Sequence, residues 1–297
     1  MLLKPLTMSA LLSMAMAILA SAQVFPFLPA PSGPPEIDHF HCYFVQSPMQ
    51  PVSALLQDQF DAALNQSSEV ITDLRAVELC PPVQKTLTSG KVTPINHPTD
   101  HLLMYLINPQ PITPRIVLVE NQFGYQILRT RNAVMLAVPS GKVLPTPAGE
   151  VPPLPPIPTD LDHYKCYSAS GDIATHVVGL SDQFMSTIVD VIEPILFCNP
   201  VQKTIPSATP TVPGTVTPIT DPRAHLTCYV VTPRPFQGLA YYNNQFVNST
   251  PVAGATPPPP SLVVLQSEIL CAPSYKLAWE YAPPPPATLT PGSAAGE

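Results

Sequence analysis

Few residue combinations in this sequence could carry out a reaction. Three Asp-His pairs resemble part of a hydrolytic triad, but adjacent strand residues point to opposite faces and no matching nucleophile is evident. The pairs are Asp38-His39, Asp100-His101 and Asp162-His163. The motifs of serine hydrolases, zinc proteases and nucleotide-binding enzymes are absent. The sequence therefore predicts no catalytic residue and favours a protein that is not an enzyme.

Metal and haem sites are also disfavoured. His39, His41 and Cys42 lie close together, yet structural zinc sites use closely spaced cysteine pairs, and this chain has none. His97 and His101 are four residues apart, but the proline after His97 breaks the helix that would align them. The haem-attachment sequence C-x-x-C-H is missing as well. We expect no metal and no cofactor.

One group of aromatic residues could bind a ligand. Tyr241, Tyr242, Trp279 and Tyr281 form an aromatic excess near the carboxyl end of the chain. Exported binding modules commonly hold sugars or apolar ligands on aromatic faces. The alternative is that these side chains pack a terminal strand against the core, and we favour that interpretation.

The elements that position these residues follow from an internal repeat, in which three marks recur four times in the same order. The first mark is Asp38 to Tyr43, with copies at His101 to Tyr105, Asp162 to Tyr167 and His225 to Tyr229. The second is Asp58-Gln59-Phe60, with copies at Asn121-Gln122-Phe123, Asp182-Gln183-Phe184 and Asn244-Gln245-Phe246. The third ends in Lys85, Lys142, Lys203 and Lys276. We name residues 38–85, 100–142, 162–203 and 224–276 units 1 to 4.

The repeat predicts how the six cysteines pair. Units 1, 3 and 4 carry one cysteine in the first mark and one in the third, whereas unit 2 has Met104 and Ala137 there. If disulfides joined different units, the loss of both cysteines from unit 2 would leave cysteines of other units without a partner. We therefore expect one disulfide inside each of three units, Cys42–Cys80, Cys166–Cys198 and Cys228–Cys271. An exported, oxidising environment agrees with this pairing.

Hydrophobic periodicity predicts an all-β fold, either a β-sandwich or a small barrel. Side chains alternate between apolar and polar around the first mark, which indicates a strand. Residues Ile116–Val119 and Tyr125–Leu128 predict a hairpin, because Asn and Gly lie between them. Residues Ser53–Leu64 have helical spacing, but the equivalent segments look extended, so we predict an extended segment there as well.

Proline-rich segments predict the domain boundaries. The chain has 43 prolines among its 297 residues, and residues 23–37, 144–160 and 278–297 combine prolines with no apolar period. Such segments form extended linkers or tails. The central linker divides the chain into two tandem domains of two units each, residues 38–143 and 161–277.

The order D-H-[FY]-x-C-Y, D-Q-F, L-C-x-P-x-x-K resembles a family of uncharacterised, mainly bacterial exported domains of unknown function. The resemblance covers about residues 38 to 277, and the marks of unit 3 fit best. Unit 2 departs from the pattern because it lacks both cysteines. The resemblance implies export and a repeat architecture, and it implies no known activity.

The amino terminus predicts export. Lys4, an apolar run over Met8–Leu19 and the sequence Ala20-Ser21-Ala22 are typical of a signal peptide, residues 1–22. The run is shorter than the ~20 residues that a membrane span needs. A net charge of −7 without a basic run argues against nucleic-acid binding. We expect a secreted or extracytoplasmic protein, in the periplasm or at the cell surface, with no transmembrane segment after cleavage.

The repeat also shapes the functional prediction. A residue repeated in all four units cannot belong to one active site, so the repeated histidines and glutamines are predicted to be structural. The leading hypothesis is an exported, non-enzymatic structural or interaction module with an unknown partner at the cell surface or outside the cell. The alternative is a carbohydrate or other ligand-binding protein that uses the aromatic residues of unit 4. A hydrolase is less favoured.

Overall fold

The computed structural model describes residues 36–62, 69–110, 112–173, 175–207, 214–247 and 260–282. The predicted signal peptide, nearly all of the first proline-rich linker and the tail from residue 283 lie outside these residues. Of the helices in the described ranges, none is long and apolar enough to cross a membrane.

The described chain is almost entirely antiparallel β-structure, which confirms the predicted all-β class. Unit 1 contains β1 (His39–Gln46), β2 (Met49–Asp58), the short helix α1 (Gln59–Ala62), β3 (Glu69–Cys80) and β4 (Pro82–Leu87), followed by β5 (Val92–Thr93). Unit 2 contains β6 (His101–Gln110), β7 (Arg115–Asn121) and β8 (Gly124–Val143). Unit 3 contains β9 (Tyr164–Ser170), β10 (His176–Ser181) and β11 (Ser186–Ile205), followed by β12 (Thr215–Thr217). Unit 4 contains β13 (His225–Arg234), β14 (Gly238–Asn243) and β15 (Ser261–Tyr281).

Each unit has a first strand, a second strand and a long third strand, and the first and third strands form a closed ring. In unit 1 the third strand is β3 together with β4. Every first strand pairs with the third strand of its own unit and with that of the preceding unit. The ring closes because β1, the first strand of unit 1, pairs with β15 of unit 4. Closure removes the unpaired edges that an open sheet would expose.

The second strands connect units across the ring. Each pairs with its own third strand and with the end of the third strand two units further on. These longer-range pairs are β2 with β11, β7 with β15, β10 with β4, and β14 with β8. Units 1 and 3 are therefore joined, as are units 2 and 4.

The division into two tandem domains is wrong at the level of the sheet. Strands from residues 38–143 pair with strands from residues 161–277 at six places, so the two halves share one sheet. The physical reason is strand pairing: two units alone would leave first and third strands without partners, and four units satisfy them all. Residues 144–160 contain no strand, as predicted, but they join two parts of one ring.

The three disulfides have the predicted pairing and lie on one face of the first strands. They are Cys42–Cys80, Cys166–Cys198 and Cys228–Cys271. Met104 and Ala137 pair directly with each other at the equivalent place in unit 2, and all eight side chains belong to one buried cluster. The alternate residues of the first strands, such as Tyr105, face two other buried clusters. The disulfides indicate an oxidising, extracytoplasmic environment.

Of three local predictions, one is confirmed, one holds in part and one is wrong. The hairpin of β7 and β8 turns at Gly124, whose φ of 99° suits glycine. The segment Ser53–Leu64 is extended only through Asp58, because the helical turn α1 follows it, and residues 63 and 64 lie outside the described residues. The tail does not begin at residue 278, because β15 continues to Tyr281 and pairs there with Arg115.

Candidate functional site

The second mark forms the same turn in all four units. The side-chain oxygen Oδ1 of its Asp or Asn accepts a hydrogen bond from the backbone N–H of the phenylalanine two residues later. The distances are 2.8 Å for Asp58 and Phe60, 2.8 Å for Asn121 and Phe123, 2.7 Å for Asp182 and Phe184, and 2.9 Å for Asn244 and Phe246. This local bond sets where each phenylalanine lies.

The second polar atom of the same side chain binds a tyrosine two units away. Tyr167 donates to Asp58 and Tyr43 to Asp182, both at 2.8 Å, whereas Asn121 donates to Tyr229 at 2.7 Å and Asn244 to Tyr105 at 2.8 Å. All four tyrosines come from the first mark and are buried. A buried hydroxyl needs a partner, so these bonds join opposite units of the ring.

The lysine of each third mark lies over the phenylalanine of the next unit. The distances from Nζ to the ring centroid are 4.3 Å for Lys85 and Phe123, 4.4 Å for Lys142 and Phe184, 4.5 Å for Lys203 and Phe246, and 4.7 Å for Lys276 and Phe60. Burial lowers the pKa of Lys142 to about 8 and that of the other three lysines to about 7. The cation–π contact favours the charged amine and opposes this shift.

The histidine of each first mark is buried beside the lysine of its own unit. The four are His39, His101, His163 and His225. Burial lowers the pKa of each imidazole, and the neighbouring lysine lowers it further. These histidines are therefore neutral side chains of the interior, and His101 is hydrogen-bonded to the carbonyl of Thr99.

The repeated glutamines bind residues outside their own units. Gln59 donates to the carbonyl of Pro222 at 2.6 Å, and Gln183 donates to that of Pro98 at 3.4 Å. The two remaining glutamines, Gln122 and Gln245, contact threonine hydroxyls of β5 and β12. The repeated marks thus supply the contacts that hold the units together.

Polar, charged and aromatic side chains from all four units meet around Phe60. We name the group Asp58, Phe60, Arg115, Asn199, Lys276 and Trp279 the Phe60 cluster. The Arg115 guanidinium lies 4.3 Å from the centroid of the Phe60 ring, and the Trp279 ring lies 5.2 Å from it. Arg115 is 1 % exposed and donates to the carbonyls of Phe60 and Thr113.

Within this cluster a carboxylate, an amide and an amine form a chain of hydrogen bonds. Asn199 donates from Nδ2 to Oδ2 of Asp58 at 2.9 Å, and Lys276 donates to Oδ1 of Asn199 at 3.1 Å. Asn199 is fully buried and Asp58 is 2 % exposed. Burial lowers the pKa of Lys276 to about 7; Asp58 opposes the shift and Arg115 adds to it.

A buried ion pair lies beside the cluster. Lys165 Nζ is 3.0 Å from Oδ2 of Asp61 and 2.7 Å from Oε2 of Glu69. Burial alone would lower the pKa of Lys165, but the carboxylates of Asp58, Asp61 and Glu69 raise it. Burial and the charge of Asp58 raise the pKa of Asp61, and Lys165 opposes that shift. Lys165 therefore carries the compensating positive charge for these acids.

The four predicted aromatic residues do not form one site. Tyr241 and Tyr242 belong to β14, where Tyr241 pairs with Ser261 near the start of β15. Trp279 and Tyr281 lie at the other end of β15, with ring centroids 5.7 Å apart. Tyr242 is buried in the core, whereas Tyr281 is 42 % exposed. A shared binding face of all four residues is therefore wrong, and only Trp279 and Tyr281 remain together.

An Asp-His contact forms between units 1 and 3, and it joins residues that the sequence did not pair. His41 Nδ1 lies 2.7 Å from Oδ2 of Asp182, and Tyr43 donates to the same oxygen. The side chains of His41 and Asp182 are both fully inaccessible, and His41 Nε2 has no hydrogen-bond partner in the described structure. This geometry holds an imidazole in place and offers no nucleophile for it to activate.

A second acidic contact lies at the ring closure. Glu78 on β3 is 3 % exposed and is hydrogen-bonded to Glu268 on β15. Burial raises the pKa of Glu78, and the neighbouring Glu268 carboxylate raises it further. The two carboxyl groups therefore favour sharing a proton.

Among the described residues, no group of three or more His, Cys, Asp or Glu side chains could hold a metal ion. His97 is half exposed and lies 3.8 Å from Asp38, whereas His101 contacts the carbonyl of Thr99. Cys42 forms a disulfide with Cys80, so it cannot supply the thiolate ligand that a zinc site around His39 would need.

Sequence reasoning missed Arg115, Asn199 and Asp61. Asn199 directly follows the cysteine of the third mark, where the other units have Pro81, Val138 and Ala272. A comparison of the four units position by position would have shown this difference. Arg115 carries no comparable signal, because its importance comes from contacts with unit 1.

Comparisons with known proteins give no relative from which a function could be transferred. No family model matches the sequence. No curated protein and no solved structure matches it either. The resemblance to exported repeat domains therefore stays a prediction, and function must be argued from this chain.

Proposed function

We propose that this protein is an exported, non-enzymatic module with a structural or interaction role in the periplasm, at the cell surface or outside the cell. The observation that carries the proposal is the use of the repeated marks. The Asx, tyrosine, phenylalanine and lysine side chains of every unit contact another unit. The repeated side chains therefore hold the ring together.

Two further features support an architectural role. Three disulfides crosslink strands within units 1, 3 and 4, and the cyclic strand pairing joins all four units, which suits a protein that works outside the cytoplasm. The polar cluster that most resembles a catalytic group, His41 with Asp182, is sealed from solvent.

Cell fractionation and amino-terminal sequencing test the export. We expect a mature chain that begins at Gln23 outside the cytoplasm. A chain that keeps residues 1–22 and stays in the cytoplasm would contradict the proposal. Turnover of ester, glycoside or peptide substrates that disappears in His41→Ala would show that the protein is an enzyme.

Ligand binding at Trp279 and Tyr281 is the second candidate function. The Tyr281 side chain is exposed to solvent and contacts the Trp279 ring edge-on. The Arg115 guanidinium lies 5.6 Å from the centroid of the Tyr281 ring. An aromatic surface beside a cation is a common way to hold a sugar or an aromatic group.

The tryptophan supplies the assay, because the chain has only one. A glycan array would identify an oligosaccharide, and its titration would be followed by tryptophan fluorescence. Saturable binding that Tyr281→Ala abolishes supports this function. The matched control is Tyr125→Ala, which removes a tyrosine that is 70 % exposed elsewhere. Equal binding by both variants would exclude the Trp279 surface.

A further inference from the structure

Lys276 and Asn199 are placed for a reaction with each other. Lys276 lies on β15 of unit 4 and Asn199 on β11 of unit 3, the two third strands that flank β13. The Lys276 amine is 3.1 Å from Oδ1 of the Asn199 side-chain amide. The reacting groups are therefore already in contact, which removes the entropy cost of bringing them together.

The surroundings supply what amide exchange needs. An amine must be neutral to act as a nucleophile, and burial favours that form. Burial lowers the pKa of Lys276 to about 7, and the charge of Arg115 adds to the shift. Asp58 accepts a hydrogen bond from the Asn199 nitrogen at 2.9 Å, so a proton carrier already contacts the leaving group.

Asp58 is itself held in place. Its Oδ1 accepts the backbone N–H groups of Phe60 and Asp61, and its Oδ2 accepts the hydroxyl of Tyr167 at 2.8 Å. These bonds fix the carboxylate against the Asn199 amide. Its orientation therefore does not depend on the Lys276 amine.

We propose that Lys276 and Asn199 become joined by an intramolecular isopeptide bond, with Asp58 carrying the proton. The lone pair of the neutral Lys276 amine attacks Cγ of Asn199, and one amine proton passes to Asp58. Asp58 returns that proton to Nδ2 as the original carbon–nitrogen bond breaks. One carbon–nitrogen bond forms, one breaks, ammonia leaves and Asp58 is regenerated. No oxidant, reductant or cofactor takes part.

The equivalent lysines of the other units provide an internal comparison. Lys85 and Lys203 have no hydrogen-bond partner for Nζ among the described residues. Lys142 contacts the Gln183 side-chain oxygen, but Gln183 is exposed, and its nitrogen donates to a backbone carbonyl instead of a carboxylate. Only Lys276 combines a buried amide with an adjacent carboxyl group.

The crosslink would join the third strands of units 3 and 4 covalently. It would add a fourth covalent tie to the ring, between units that no disulfide connects. The bond is not reducible, so it would survive where the disulfides do not. This inference does not depend on the proposed module function, because the reaction needs only the folded chain.

Mass spectrometry of the full, folded and then denatured and reduced chain tests the proposal. A digest should contain one branched peptide that joins the Lys276 and Asn199 segments, lighter by one ammonia than the sum of the two. The branched peptide is the decisive readout, because an amino-terminal glutamine also loses ammonia when it cyclises. A wild-type digest with both segments as separate, unmodified peptides would overturn the proposal.

Variants separate the roles of the three residues. Lys276→Arg keeps a cation but should abolish the branched peptide, and Asn199→Ala should abolish it too. Asp58→Asn should reduce the crosslinked fraction at least tenfold while Asn199 and Lys276 remain. Lys142→Arg is the matched control and should leave the fraction unchanged. The wild-type digest tests the proposal by itself, so the proposal can be refuted even if a variant fails to fold.

Discussion

The buried lysines predict an unusual dependence of stability on pH, and Lys85 is the best place to test it. Its side chain is fully buried, and its amine has no hydrogen-bond partner among the described residues. Burial, together with the nearby charge of Lys91, lowers its pKa from 10.5 to about 7. In the unfolded chain the same amine titrates near its ordinary value.

The sign follows from proton counting. Between pH 7 and 10.5 the unfolded chain holds the Lys85 proton and the folded chain does not, so the free energy of unfolding rises as pH increases. The full difference between pH 7 and 10.5 corresponds to about 5 kcal/mol. Lys85→Met should therefore stabilise the protein at pH 7 by about 4 kcal/mol, because it removes the amine and keeps the apolar chain.

Urea unfolding followed by tryptophan fluorescence from pH 7.5 to 9.5 measures the effect. Each buried lysine whose folded pKa lies near 7 or 8 adds up to about 1.4 kcal/mol per pH unit to the wild-type slope, and Lys85→Met should remove one such contribution. Arg129→Met, which removes an exposed cation that does not act on Lys85, should change the stability by less than about 0.5 kcal/mol. A wild-type stability that is flat over this range would show that the buried amines stay charged and would refute the reasoning.

Three further predictions concern other contacts. Replacing Met104 and Ala137 with cysteines should form a fourth disulfide and stabilise the chain by about 3 kcal/mol, and a count of two free thiols would contradict this. Asp162→Ala removes the acceptor of two backbone N–H groups and should cost about 2 kcal/mol with faster hydrogen exchange there, whereas the exposed Asp160→Ala should cost nothing measurable. The raised pKa of Glu78 makes the folded state hold a proton that the unfolded state loses above pH 4.5. Wild-type stability should therefore fall as pH rises from 4.5 through the folded pKa, and a Glu78→Gln variant that keeps this fall would contradict the assignment.

The strands and the disulfides could be predicted because their signals are local or come from comparing the copies. Alternation around Cys42 reports which face of a strand is buried, and the joint loss of both cysteines in unit 2 reports their pairing. The hairpin turn from Asn121 to Gly124 depends on four consecutive residues. In each case the chain carries the relevant neighbours at short or repeated intervals.

The candidate site could not be predicted in this way. The sequence shows Trp279 only as one of several aromatic residues near the carboxyl end. Its contacts are with Phe60 of unit 1 and Arg115 of unit 2. Asn199 and Lys276 are distant in sequence and meet only because their strands flank β13. Composition near each residue carries no information about such a neighbour.

The sequence by itself determined the β-class, the hairpin turn of unit 2 and the three disulfides, because these depend on local alternation, short-range turn chemistry and a comparison of four copies. Only the tertiary structure decided that the copies close into one ring instead of two domains. Closure depends on which strand edges pair across long stretches of chain, and hydrogen bonding between backbones is almost independent of side-chain identity. The same closure brought Asp58, Asn199 and Lys276 together from three units.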